Sequence, residues 1–286
     1  MIFLITLWRS SYTLEHFKKV SMKGESKTIL VPTDFSQVAE YALQHAVRVS
    51  GVVKEPITIL HIVKSDADKA EAEVKLEKTV RGIKEKYGVD IIPVIRTGNI
   101  FTDISLVADE VQASFVVMGS STIKEMDENK VSWVLKVITS CKVPFITIQE
   151  PPVNKRYDEV VFPVDFTLEN QEKHKWISYF SDFYLSRFHL VKPKTSDPEL
   201  LAKIDINMAS ARRFLDQKGA KFIEYTVPGL KPYEQEILSL AANIRADLII
   251  LMTTPLDQEG RFMVDPMEQY ILANADHIPV MCINPR

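Results

Sequence analysis

The sequence predicts an α/β protein: two doubly wound, mainly parallel five-stranded sheets with flanking helices, one following the other along the chain. Three observations predict it. Short runs rich in Val and Ile alternate with longer segments of helical periodicity, the pattern of parallel strands joined by crossover helices. The same series of motifs occurs twice in the same order. The chain has 286 residues, the length of about two domains.

Near-continuous apolar runs lie at 28–33, 57–63, 90–95, 114–119 and 144–148, and again at 159–164, 187–191, 221–227, 247–252 and 279–283. Runs of this kind read as strands buried on both faces of a sheet. After the first strand of each series comes an apolar stripe at helical spacing. It consists of Ala42, Leu43, Ala46 and Val49 in the first, and of Trp176, Ile177, Phe180, Phe183 and Tyr184 in the second. Ser36 and Thr167 stand where those helices need an N-cap. Glu150-Pro-Pro-Val-Asn154 holds two prolines, which stop regular structure and extend the chain. The expected division is therefore an N-terminal extension at 1–26, a first unit at 27–149, a linker at 150–157 and a second unit at 158–286.

The repeat is legible residue by residue. Pro32, Asp34 and Phe35 match Pro163, Asp165 and Phe166. Ile59-Leu-His-Ile-Val63 answers Arg187-Phe-His-Leu-Val191, which aligns His61 with His189. Phe115-Val-Val-Met-Gly119 answers Ile249-Ile-Leu-Met-Thr253, and Val143-Pro-Phe-Ile-Thr-Ile148 answers Ile278-Pro-Val-Met-Cys-Ile283.

Composition narrows the function. With 46% hydrophobic and 26% charged residues, the chain is an ordinary globular protein. A net charge of −3 gives none of the basic footprint that phosphate neutralisation demands, so no nucleic-acid partner is expected. Cys141 and Cys282 show no metal spacing and lie beside strand-like residues, so they are expected to be buried, reduced thiols, as suits a cytoplasmic location. Met1 to Trp8 is apolar but far shorter than the roughly 20 residues a bilayer needs, and no membrane partner is expected. It lacks the flanks of a signal peptide. Met22 lies just before the first strand, so it is the expected natural start, with residues 1–21 an extension from a start-site miscall; the competing reading is an amphipathic arm.

In an open parallel sheet, ligands sit beyond the carboxyl ends of the strands, where the strand order reverses. The groups there are Asp34 and Asp165 after the first strands, His61 and His189 in the second, and Met118-Gly-Ser-Ser121 and Met252-Thr-Thr-Pro255 after the fourth. Each also has a purely structural reading. The aspartates can cap their loops, the histidines can be satisfied core residues, and Gly119 can make a tight turn. Ser120 and Ser121 do not form a nucleophile elbow, and no metal motif, P-loop or acid–base pair is present. No catalytic residue and no metal ligand is assigned, and no enzymatic activity is expected.

Ile29-Leu-Val-Pro-Thr-Asp-Phe-Ser36, Leu60-His-Ile-Val63, Val116-Val-Met-Gly119 and Val143-Pro-Phe-Ile146 together resemble the universal stress protein family. The resemblance covers 27–149 and, more weakly, 158–284. It implies a Rossmann-like, adenine nucleotide alpha hydrolase-like fold. It also implies that two such domains pack through antiparallel contact of their fifth strands, here 144–148 against 279–283, as an internal pseudo-dimer that covers two sheet edges.

One branch of that family binds ATP through a loop of the form G-x-x-G-x9-G-S/T, whose glycines let backbone amides cradle phosphate. Here Gly119 is kept, Thr122 and Val131 stand at the other glycine positions, Ser132 supplies the hydroxyl, and the spacer is one residue short. A Cβ makes positive φ costly by about 1–2 kcal/mol at each such position. In the second unit Thr253, Leu256, Pro266 and Met267 replace the pattern, and Pro266 has no N–H to donate. The resemblance carries Pro32, Thr33, Asp34, Ile62, Met118, Gly119, Ser120 and Ser132 over as candidate nucleotide contacts, with Asp34 and Ile62 on the nucleoside side.

The leading expectation is a non-catalytic stress-response protein that needs no cofactor and acts as scaffold, sensor or partner-binding module. The alternative is an adenine-nucleotide-binding protein, holding ATP, ADP or AMP in the first unit, with at most slow hydrolysis. The partners expected are the two units for each other and an unidentified protein or small ligand; a homodimer is compatible with the tandem arrangement.

Overall fold

The computed structural model describes residues 27–120, 133–154, 156–255 and 262–285. The extension at 1–26 and the Met22 question lie outside the described residues.

The first half runs β1 (Thr28–Pro32), α1 (Gln37–Val53), β2 (Ile57–Val63), α2 (Lys69–Tyr87), β3 (Ile91–Thr97), α3 (Ile100–Glu110), β4 (Ala113–Gly119), α4 (Trp133–Ser140) and β5 (Phe145–Ile148). The second half runs β6 (Glu159–Pro163), a 3₁₀ segment Leu168–Lys173, α5 (His174–Phe183), β7 (Arg187–Lys192), α6 (Pro198–Lys218), β8 (Lys221–Thr226), α7 (Tyr233–Ile244) and β9 (Leu248–Met252). It ends with a small ribbon of β10 (Thr254–Pro255) and β11 (Phe262–Met263), then α8 (Pro266–Leu272) and β12 (Val280–Ile283).

All the main strands join one ten-stranded sheet, ordered β3-β2-β1-β4-β5-β12-β9-β6-β7-β8. Within each half the pairing is parallel, and the order reverses between β1 and β4 and between β6 and β9. Where the halves meet, β5 and β12 pair antiparallel, with Val280 opposite Thr147, Met281 opposite Ile146 and Cys282 opposite Phe145. The apolar edges thus cover each other, as the resemblance implied.

Helices cover both faces. One core cluster packs α1, α2, α5 and α6 on residues such as Ile29, Ile59, Phe162 and Phe188. The other packs α3, α4, α7 and α8 on Leu30, Val116, Val161 and Ile249. Successive strand residues serve opposite faces, which is why these runs are apolar throughout rather than alternating. The expectation of burial on both faces fails at the outermost strands. Lys221, Ile223, Glu224 and Thr226 of β8 are exposed and β3 is mostly half-buried, because an outer strand is covered less completely. Cys141 and Cys282 are buried and unbonded, and burial pushes both thiols up.

The register corrects two alignments made from sequence. Ile29 pairs with Ile57, and Val160 with Phe188. His189, opposite Val161, therefore stands where Thr58 stands opposite Leu30, and it is not the counterpart of His61. In the fourth strands, Gly119 pairs with Ile148 and Met252 with Ile283, so Met252, not Thr253, occupies the place of Gly119. Matching identical side chains misled at the histidines: the first and second strands keep the same spacing in both halves, so the spacing of the matched Pro and Asp residues, and not the shared histidine, gives the register.

The linker is fastened at both ends. The Asp247 carboxylate accepts the backbone N–H groups of Asp158 and Glu159 at 2.9 Å and the Asn154 side-chain amide at 2.5 Å. On the α1 side, Arg48 donates to the Asn154 carbonyl at 2.6 Å and lies 4.3 Å from the centre of the Tyr157 ring. His45, almost fully buried, donates to the Glu150 carbonyl at 3.1 Å.

Asp247→Ala should destabilise the protein by about 1–3 kcal/mol, because it removes the buried carboxylate that accepts three part-buried hydrogen bonds. Denaturant unfolding checks it. Acid should also destabilise the fold through His45. Burial, and then the Arg48 charge, push its imidazole from 6.5 down to about 3, against the contact with Glu150. Between those values the unfolded chain binds a proton that the folded chain does not, so stability is present above pH 6.5 and is lost as the pH falls. The loss by pH 4 is roughly 3 kcal/mol. His174, pushed to about 4 by burial and by Lys173, adds in the same direction. A His45→Gln variant should show a shallower fall of melting temperature between pH 6.5 and pH 4.

Candidate functional site

The switch point of the first half lies between the carboxyl ends of β1 and β4. The chain leaves β1 through Thr33, whose N–H bonds to the Leu60 carbonyl at 2.8 Å. Asp34 is exposed, and its Oδ1 accepts the Ser36 N–H at 2.9 Å. Thr33 Oγ1 accepts the Phe35 N–H at 3.0 Å. Between these two turns Phe35 is held at φ 63°, a left-handed conformation unusual for a bulky residue. The Ser36 hydroxyl then caps α1 by accepting from Ala39 N at 3.3 Å, as expected.

In the second half Asp165 makes the same turn, accepting the Thr167 N–H at 2.7 Å. The structural reading of the two aspartates thus holds in both halves. Thr167 does not cap, because its hydroxyl donates to Asp165 at 2.5 Å instead.

The two histidines are engaged in different ways. His61 donates from Nδ1 to the Thr33 carbonyl at 2.7 Å, and its ring lies 4.5 Å from that of Phe35. His189 is buried, bonding Glu159 at 2.6 Å and the Tyr225 hydroxyl at 3.2 Å. In the first half the corresponding positions hold Thr28 and Thr58, whose hydroxyls bond each other at 2.9 Å.

The predicted contacts after β4 are turned into the protein. Met118 is 2% exposed and belongs to the core on the α3–α4 face. The buried Ser120 sends its N–H to the Ile148 carbonyl at 2.8 Å and its hydroxyl to the same oxygen at 3.4 Å. Thr253 repeats both contacts with Ile283, at 2.9 and 3.3 Å. Gly119 is needed for close approach: a Cβ there would lie 2.7 Å from the Val38 carbonyl oxygen in the first turn of α1. At the equivalent position the second half carries Met252, and there the chain at 168–173 winds as 3₁₀ rather than α. Pro32 and Ile62 are half-buried at the ends of β1 and β2. Ser132, with Thr122, Val131 and Leu256, lies outside the described residues. The structure therefore brings Thr33, Asp34, Ile62 and Gly119 to one end of the sheet, while Met118 and Ser120 face away from it.

A concavity that the sequence motifs do not mark lies on the α1–α2 face. A groove of about 450 Å³ runs between α1 and α2, lined also by Thr33, Phe35 and Ser36 ahead of α1. Its signal was present in α2, where Lys75, Thr79, Gly82 and Lys86 recur at helical spacing and so share one face. Among the described residues no His, Cys, Asp and Glu cluster could hold a metal ion, and no helix is long and apolar enough to cross a membrane.

Gly119→Ala should destabilise the protein by about 1–3 kcal/mol, since the new Cβ meets the backbone of α1 rather than a movable side chain. Thermal unfolding checks it, with Gly82→Ala as the control in which the Cβ meets nothing within 4 Å.

Comparison with known proteins places this geometry. No curated protein matches the chain. Among solved structures, a universal stress protein from Archaeoglobus fulgidus DSM 4304 superposes with a TM-score of 0.72 at 16% identity, covering 91% of this chain and 99% of that one. A protein of unknown function from Pseudomonas aeruginosa PAO1 superposes with a TM-score of 0.64 at 14% identity, covering 93% and 95%. At these identities the likeness is one of fold. Residues 25–146 match the model of the universal stress protein family, and over nearly all its length the chain shares the fold of a solved universal stress protein.

Proposed function

We propose that the chain is a non-catalytic stress-response protein of the cytoplasm, two universal stress protein-like domains in tandem that act as scaffold, sensor or partner-binding module. One observation carries this reading. Two of the residues expected to meet a triphosphate at the first switch point, Gly119 and Ser120, are committed to the protein's own packing. Ser120 bonds β5 through both its amide and its hydroxyl, and the Cα of Gly119 lies against α1. A bound phosphate would have to displace contacts made by buried groups.

A second reading is favoured by Asp34, which is exposed at the strand end with Ile62 nearby in the fold. On that reading an adenine nucleotide, or its nucleoside part, binds beside Asp34 in the first half. Calorimetric titration with ATP, ADP, AMP and adenosine separates the two. The expected result is no micromolar binding of ATP, and micromolar binding would overturn the leading reading. If a nucleotide binds, Asp34→Ala should weaken it and Asp165→Ala should not.

A further inference from the structure

We propose that the groove between α1 and α2 binds a small amphipathic anion, a molecule with an apolar body and one carboxylate or phosphate head. The volume of about 450 Å³ falls inside the roughly 300–1,000 Å³ of small-molecule sites. Its lining divides by chemistry. Leu43 and Val47 of α1 and Ile83 of α2 supply apolar surface. Lys75, Lys78 and Lys86, all exposed, supply cations, and Glu40 is the one carboxylate that lines the groove with them. Lys75 pairs with Glu71 at 2.6 Å, whereas Lys78 has no ion-pair partner among the described residues. An apolar floor beneath a cationic rim is complementary to an anion with an apolar body.

Gly82 is the second observation. A glycine inside a helix costs stability, and close packing usually explains its presence. Here a Cβ would meet nothing within 4 Å, so no neighbour requires the glycine. What its missing side chain leaves open is the groove that it lines. Phe35, in its left-handed conformation, lines the groove; backbone strain of this kind gathers at ligand clamps.

The second half provides an internal control. Aligned on the glycines that end them, Gly88 and Gly219, α2 and α6 are equivalent helices. In α6 the positions of Lys75, Lys78, Gly82 and Lys86 hold Ile206, Ala209, Arg213 and Gln217. The fold is therefore built equally well without the lysines and without the glycine. The site differs from the switch-point crevice, because Asp34, Ile62 and Gly119 do not line it. The inference stands whether or not the partner-binding reading holds.

The test uses the full chain, 8-anilinonaphthalene-1-sulfonate as fluorescent anion, and decanoate as competitor. Two variants are compared with the parent: Lys78→Ala with Lys86→Gln, which installs the residues of the second half, and Gly82→Phe, which fills the groove. All of these side chains are exposed, and melting temperature checks that the variants fold. The expected result is saturable binding at one site, displaced by decanoate but not by decanol or AMP. The lysine variant should bind about tenfold more weakly or worse, and Gly82→Phe should not bind. Unchanged binding in either variant overturns the site, and displacement by AMP as effective as that by decanoate overturns the ligand class.

Discussion

The antiparallel pairing of β5 with β12 is the constraint on which the rest of the structure depends. Each strand is only four residues long, wholly buried, and at the open edge of its own half. Alone, either half would present an apolar strand edge with unpaired backbone groups, an invitation to aggregation. Together they complete one sheet, and both cores run across the junction. Side chains reinforce the join reciprocally. Gln149, just after β5, donates to the Leu272 carbonyl in α8 at 3.1 Å, and Asn284, just after β12, donates to the Ile138 carbonyl in α4 at 2.6 Å. Because this pair is antiparallel while all other strands are parallel within their halves, the carboxyl ends of the two halves point in opposite directions. The two switch points therefore lie at opposite ends of the sheet, and a ligand at one has no direct contact with the other.

With the backbone frame held in this way, side chains in the two halves could diverge by compensated exchange. A hydroxyl pair, Thr28 with Thr58, is replaced by an acid–imidazole pair, Glu159 with His189, at the same register position. Either solution satisfies the buried polar groups that a sheet interior requires. Gly119 allows the first turn of α1 to close on β4, and where Met252 stands instead the corresponding turn is 3₁₀ and its cap is lost. Exchanges of this kind weaken sequence similarity between the halves faster than they change the fold.

That divergence sets what the sequence could reveal. The strands were legible because burial on two faces demands continuous apolar runs, and the aspartate turns because Asp34 and Asp165 repeat with their flanking Pro and Phe. Register was not legible from identical side chains. His61 and His189 are the same residue in similar sequence surroundings, yet they occupy different positions, as the backbone pairing shows. The inward turn of Met118 and Ser120 was hidden for a related reason, since a run that is apolar throughout does not say which face each residue serves. The α1–α2 groove escaped because a lysine-bearing stripe on a helix reads as a solvated face until the neighbouring helix is placed beside it.

These sites are not independent in their mechanics, because α1 touches all of them. Its first turn rests on Gly119 at the end of β4, its middle presents Leu43 and Val47 to the groove, and His45 and Arg48 on another face hold the linker. A helix packed on three sides moves as a body rather than residue by residue, since close-packed interiors transmit strain. A molecule in the groove would press on the helix that fastens the junction of the halves, whereas one beside Asp34 would press on its N-terminal turn. Either route reaches the junction through α1, and in the second half the counterpart of that helix is broken into a 3₁₀ turn and a shorter α5. The asymmetry between the halves thus includes the helix that touches groove, switch point and linker together.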